Sequence, residues 1–229
     1  MKRATVVERA LPEGGPAERL AAMRARLDGA ARAWGYAPPV LVAVSKTHGP
    51  DVVRPFLEAG QRDYGENRVA EAAAKWPALR ADFPDARLHL VGQLQSNKAD
   101  AAVELFDAIH SVDRPSLVAA LGKAVRVAGR CPELFVQLGY DGADGRGGCA
   151  PGDLPDLLAR CADAGLAVGG LMTVPPLAVD PAPFFALTAK LAKRHGLAGL
   201  SMGMSGDAEL AATLGATHVR VGSALFGAR

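Results

Sequence analysis

Residues 40–46 read VLVAVSK, a run of β-branched and apolar residues that closes on a lysine, and seven further runs of similar kind follow it. They are QRDYGEN (61–67), RLHLVGQ (87–93), AIHSVD (108–113), ELFVQLGY (133–140), VGGLMTV (168–174), GLSMGMS (199–205) and HVRVGSALF (218–226). Several are apolar throughout, which suits strands covered on both faces. Each ends in polar or glycine residues and gives way to an alanine-rich stretch of helical period. Asn97 with Asp100 resembles a capping box ahead of a helix over 101–106, and Asp113-Arg114-Pro115 opens one around 117–127. Helices over 151–164, 183–195 and 207–214 would end at Gly165, Gly196 and Gly215. A further amphipathic helix is expected over 17–34. Eight contiguous βα units predict an α/β fold, a (β/α)₈ TIM barrel occupying residues 1–229 as one domain. An open doubly wound sheet, the alternative, needs only five or six strands and a phosphate loop near its first strand.

Composition agrees with a globular chain. Of 229 residues 49% are hydrophobic, and 26 Lys plus Arg against 24 Asp plus Glu leave a net charge of +2. Charges this balanced and dispersed argue against a nucleic-acid or membrane-surface partner, and the apolar fraction argues against disorder. No apolar stretch is long enough for a membrane span, and the N-terminus lacks the run of a signal peptide, so a cytoplasmic protein is expected. Cys131, Cys149 and Cys161 form no CxxC pair and read as reduced thiols. His48, His89, His110, His195 and His218 show no ligand spacing, so structural roles are expected and no metal.

Active sites of such barrels are built from the C-terminal ends of the strands. Lys46 closes the first run, Asn67 the second, Thr173 lies near the end of the sixth, Ser205 closes the seventh, and Arg220, Gly222 and Ser223 lie in the eighth. A strand-end lysine holds its amine among apolar side chains, where desolvation favours the neutral form that condenses with a carbonyl. Ser205-Gly206 and Gly222-Ser223 bring hydroxyls, backbone N–H groups and a helix start to the loops after strands seven and eight, the recurrent phosphate site of this architecture. Asp207 would oppose an anion there if it turned inward, and Ser205 has a plain helix N-cap as its simpler role. Arg220, flanked by valines, has no solvent-facing side on a barrel strand and needs a specific partner. A guanidinium only donates, so a pyridine nitrogen facing it stays unprotonated. Pyridoxal 5′-phosphate (PLP) complements all three: an aldehyde for the amine, a phosphate and a ring acceptor.

At these residues the sequence resembles the pyridoxal phosphate homeostasis proteins, the YggS/PROSC family. The matching segments are LVAVSKTH (41–48), YGENRV (64–69), HLVGQLQSNK (89–98), HSVDR (110–114), GLMTV (170–174), LSMGMSGD (200–207) and VRVGSALFGAR (219–229). The resemblance implies a barrel like the N-terminal domain of alanine racemase, with PLP as an internal aldimine on Lys46. It also implies phosphate binding at Ser205, Gly222 and Ser223, a pyridine-facing Arg220, and cofactor contacts at Asn67 and in the segments of Met172 and Met204. FVQLGY and the loop DGADGRGGCAP depart from the commonest pattern, which reads as loop variation.

The expected function is a PLP carrier or buffer acting in intracellular PLP homeostasis without robust turnover, with no catalytic residue assigned. Apo PLP-dependent enzymes are the expected recipients and a monomer the expected state. Racemases of the related fold use a second β-domain and a tyrosine from the dimer partner; the chain ends at Arg229 after the eighth unit, and Tyr64 alone of Tyr36, Tyr64 and Tyr140 falls near a site residue. A PLP or Schiff-base enzyme such as an amino-acid racemase or an aldolase is the alternative, and a non-covalent phosphate-binding module a third reading. Lys98 and residues 110–114 suggest a second surface for PLP binding or exchange.

Overall fold

The computed structural model describes residues 11, 13–140, 147–176 and 178–227. The runs form eight strands: β1 (Val40–Val44), β2 (Asp63–Glu66), β3 (Arg87–Leu90), β4 (Ala108–Val112), β5 (Glu133–Leu138), β6 (Val168–Thr173), β7 (Gly199–Met204) and β8 (His218–Val221). Neighbours pair in parallel in chain order and β1 pairs with β8, which closes the barrel and excludes the open sheet. Helices α1 (Pro16–Arg32), α2 (Pro50–Glu58), α3 (Val69–Asp82), α4 (Ala99–Leu105), α5 (Pro115–Ala128), α6 (Leu154–Asp163), α7 (Ala182–Arg194), α8 (Ala208–Thr213) and α9 (Ser223–Phe226) accompany them. None of the described helices is long and apolar enough to cross a membrane.

Local chemistry explains the ends. Pro115 occupies the first turn of α5, where its missing N–H has no intrahelical partner to lose, and Gly129 at φ 64° ends the helix in the left-handed region. Along α1, Leu20, Met23, Leu27 and Ala31 form the buried stripe, and Arg24 donates to Gln61 Oε1 at 2.9 Å, tying the helix to the base of β2.

Two expectations change. Asn97 and Asp100 form no capping box: Ser96–Lys98 is a 3₁₀ turn running into α4, and the Ala99 N–H already donates to Ser96 O. The eighth run divides at Gly222, whose φ of −117° and ψ of −81° leave the extended region. Its carbonyl then accepts from the N–H groups of Leu225 and Phe226, starting α9.

Residues in register share a face, so Val42 with Arg220, Gly65 with His89, Phe135 with Gly170 and Ser201 with His218 point into the barrel. Leu88, Ile109, Val136, Leu171 and Val219 are buried under the helices instead. The inward set is unusually polar for a buried interior, with His89, His110 and Ser201 fully buried. Two glycines make room for the largest inward ring. A Cβ on Gly199 would sit 2.7 Å from the Phe135 ring, and one on Gly170 would sit 2.4 Å from Gly199 O. The second obstacle is backbone and has nowhere to move. Gly170→Ala is therefore expected to destabilise the fold by roughly 2–3 kcal/mol, read as a lower urea midpoint; an unshifted midpoint would show that β6 and β7 separate without penalty.

Candidate functional site

At the C-terminal ends of the strands lies a cavity of about 600 Å³, lined by Val44, Lys46, His48, Asn67, Val91, Val174, Met204, Ser205, Gly206, Arg220, Gly222, Ser223 and Gly227. All seven residues singled out as ligand contacts, Lys46, Asn67, Met204, Ser205, Arg220, Gly222 and Ser223, therefore border one space. Met172 does not. It borders a smaller recess of about 190 Å³ that shares Val91 and Val174 with the main cavity.

The end of β1 places Lys46, and a buried ionic cluster fixes that end. Glu66 Oε1 accepts from Ser45 Oγ at 2.6 Å and Trp76 Nε1 at 3.0 Å, and it pairs with Lys75 Nζ at 2.6 Å. Lys75 in turn donates to the carbonyls of Ser45 (2.8 Å) and His48 (3.0 Å), on either side of Lys46 and Thr47. Thr47 adopts φ 66°, a conformation that non-glycine residues avoid, and its N–H is held by the Glu71 carboxylate. This turn leaves Lys46 half-buried on the cavity wall. Close backbone contact places Asn67: a Cβ on Gly92 would lie 2.3 Å from Asn67 O, so only glycine lets β3 pass there.

Across the cavity, three donors converge on one oxygen. The N–H groups of Gly222 (3.3 Å) and Ala224 (3.4 Å) and the Ser223 hydroxyl (3.1 Å) all reach Ser205 Oγ. Donors collected in this way suit an anion with several oxygens. Ser205 is not an N-cap, since Asp207 occupies that place in α8. The Asp207 carboxylate turns back to the Met204 N–H at 2.5 Å and is absent from the cavity lining, which removes the expected conflict with an anion. Desolvation holds its carboxyl above the usual range.

Arg220 enters the barrel and is 5% exposed. Its guanidinium donates to Ser201 Oγ at 2.6 Å and Thr173 O at 2.8 Å. Burial pushes its pKa down to about 10, opposed by Asp207, so it stays cationic at neutral pH.

Residues 19–229 match the family model described as alanine racemase, N-terminal domain. A pyridoxal phosphate homeostasis protein of Pseudomonas aeruginosa is 41% identical over 222 residues, covering 93% of this chain and 95% of that one. The chain belongs to the pyridoxal phosphate homeostasis protein family. Another relative of that name, from Aquifex aeolicus, is 36% identical over 199 residues, covering 82% of this chain and 86% of its own length. Among solved structures, PipY of Synechococcus elongatus with PLP bound superposes at a TM-score of 0.81 with 40% identity, covering 93% of this chain and all (100%) of that one. An alanine racemase of Clostridium difficile, at 14% identity, TM-score 0.66 and coverage of 90% of this chain and 60% of the racemase, shares the fold alone.

Against this family background two features lay outside the sequence reading. Glu66, Lys75 and Glu71 were not singled out, although a glutamate inside a buried strand is itself a signal for an ion pair. The other is an assembly of histidines read singly as structural, for His89, His110 and His218 come together inside the barrel, with ring centroids 5.2 to 5.9 Å apart. They form no metal cluster among the described residues. The proposed exchange surface at residues 110–114 loses its first members, because His110 and Ser111 are fully buried.

Desolvation depresses His218 to about 4 and His110 well below its ordinary value of 6.5. Between pH 6.5 and 4 the unfolded chain thus binds protons that the folded chain refuses, so stability falls as pH falls through that window. His218 alone accounts for on the order of 3 kcal/mol at pH 4, and equal urea midpoints at pH 7 and pH 4 would contradict it. Glu66→Gln removes the nearer carboxylate of the Lys75 ammonium, leaving Glu71 at 3.7 Å, and should lower stability by about 3 kcal/mol, measured by the same denaturation; a loss below 0.5 kcal/mol, roughly the scale of an exposed pair, would mean the cluster is solvated.

Proposed function

We propose that the chain binds pyridoxal 5′-phosphate in this cavity and serves as a carrier or buffer of it inside the cell, with residues 1–229 acting as one barrel domain. One observation carries the reading: an amine, a three-donor anion cradle and a buried obligate donor border the same cavity, and PLP complements each of them. The name of the relatives and the PLP-bound neighbour support it.

Lys46 Nζ would condense with the aldehyde and release water. Ser205, Gly222 and Ser223 would hold the phosphate by charge-assisted hydrogen bonds, with the Ser205 hydroxyl turning from acceptor to donor. Asn67 and Met204 line the remaining wall. When bound, the group supplies an electrophilic carbon and a ring able to accept electrons. Arg220 limits the second capacity, because a guanidinium at this pKa donates a hydrogen bond without handing over its proton. A ring nitrogen facing it would stay neutral and the electron sink weak, which supports storage over carbanion chemistry.

Tyr64 bears on the enzyme alternative. It is fully buried on the outer face of β2 with its ring 4.9 Å from that of Trp76, away from the cavity. It offers no acid or base to an amino acid at Lys46. Recipient apo-enzymes, a monomeric state and a cytoplasmic setting accompany the carrier reading.

The purified protein mixed with PLP should develop the absorption band of imine-linked PLP and, after borohydride, carry a mass increment on Lys46. Lys46→Ala should lose both. An undiminished band in that variant would reject the attachment. Sustained turnover of an amino acid abolished by the same substitution would favour the enzyme instead.

A further inference from the structure

Arg220 is buried, cationic, and within ion-pair distance of no carboxylate among the described residues. What it has is a chain of hydrogen bonds through the barrel. Arg220 Nη1 donates to Ser201 Oγ at 2.6 Å, and Ser201 Oγ lies 2.7 Å from His110 Nδ1. His110 Nε2 lies 3.0 Å from His89 Nδ1, and His89 Nε2 lies 3.0 Å from Asp63 Oδ1. Asp63 begins β2, so the chain runs from the cavity to the opposite end of the barrel.

The two ends fix the outer links, and the middle links run one way when both rings are neutral. A guanidinium can only donate and a carboxylate can only accept. Ser201 accepts from Arg220, and in this arrangement its hydrogen goes to His110 Nδ1. His110 therefore carries its proton on Nε2 and donates to His89 Nδ1, and His89 carries its proton on Nε2 and donates to Asp63. With both rings in this form, all four bonds point from Arg220 to Asp63. Dipoles aligned in this way bring the Asp63 charge to bear on Arg220 across a low-dielectric interior.

We propose that Ser201, His110, His89 and Asp63 are positioning residues for Arg220, a one-way relay that orients its guanidinium toward a heteroaromatic nitrogen in the cavity. The proposal deepens the PLP reading and rests on it for the identity of that nitrogen. The relay is closed to protons at its upper end. A proton added to the histidine pair would turn His110 Nδ1 into a donor toward Ser201, reversing the middle of the chain, and Arg220 has no lone pair to continue the transfer. Of the groups facing the pair, Arg87 on β3, His218 and Arg220 on β8 and the Phe135 ring of β5, stacked on His110 at 4.4 Å, disfavour a charged ring, while Asp63 on β2 favours one at the His89 end. Glu133 of β5 lies 3.9 Å from Arg87 and balances it.

The test begins in the ligand-free protein, where it does not depend on PLP. Nitrogen-15 spectra of the full chain should show His89 and His110 neutral with the proton on Nε2 at pH 7. A proton on Nδ1 of His110, or an imidazolium at either residue, would overturn the relay. Ser201→Ala removes one hydroxyl, and it should speed hydrogen exchange of the Arg220 guanidinium at least tenfold. With PLP loaded, the same variant should retain it about tenfold less well and shift the nitrogen-15 signal of the labelled pyridine. Unchanged exchange, retention and ring shift in a folded Ser201→Ala variant would reduce the chain to core hydrogen bonding and sink the proposal. Failure of the wild-type chain to take up PLP would refute the cofactor reading, and the tautomers and guanidinium exchange would still decide the relay.

Discussion

Closure of eight parallel strands leaves a narrow interior into which every second residue must point, and nearly everything else in this protein answers to that constraint. A side chain has only two destinations, the barrel or the helix layer, and neither is open water. Polar groups sent inward must therefore satisfy one another. Asp63, His89, His110, Ser201 and Arg220 do so end to end, while Gly170 and Gly199 give up their side chains so that Phe135 can fill the same space. Only at the C-terminal rim does the alternation release side chains into a cavity, and there Lys46 and Arg220 emerge on adjacent strands, β1 and β8.

Stability and binding are linked through this arrangement. The Glu66–Lys75 pair sits on the outer face of the sheet, yet it holds the carbonyls that flank Lys46. Strain at Thr47 persists because that cluster over-determines the turn. Rigid support on one side of the cavity and a fixed guanidinium below it restrict the poses that a flat, charged ligand can adopt, which is how a small site gains selectivity without a large net field.

Much of this was legible in the sequence because the signals were local. Continuous apolar runs with polar ends gave both the strand count and the rim residues, and the reading of Lys46, Ser205, Arg220, Gly222 and Ser223 needed only their places in those runs. What escaped needed three dimensions. His89 and Ser201 are more than a hundred residues apart and share a network only because the barrel closes. Lys75 looks like one more helical lysine until α3 is laid on β2. Gly222 ended a strand one residue before a helix could be recognised, since four residues of α9 are too few to show a period.

The cradle after β7 and β8 carries its own substitute. Its donors are already satisfied by the Ser205 hydroxyl, an oxygen supplied by the chain itself. An anion entering the cavity would compete with this internal ligand, and on leaving would abandon no donor, because the serine can swing back. Built this way, the site would let an anion go at the cost of one serine returning to its place.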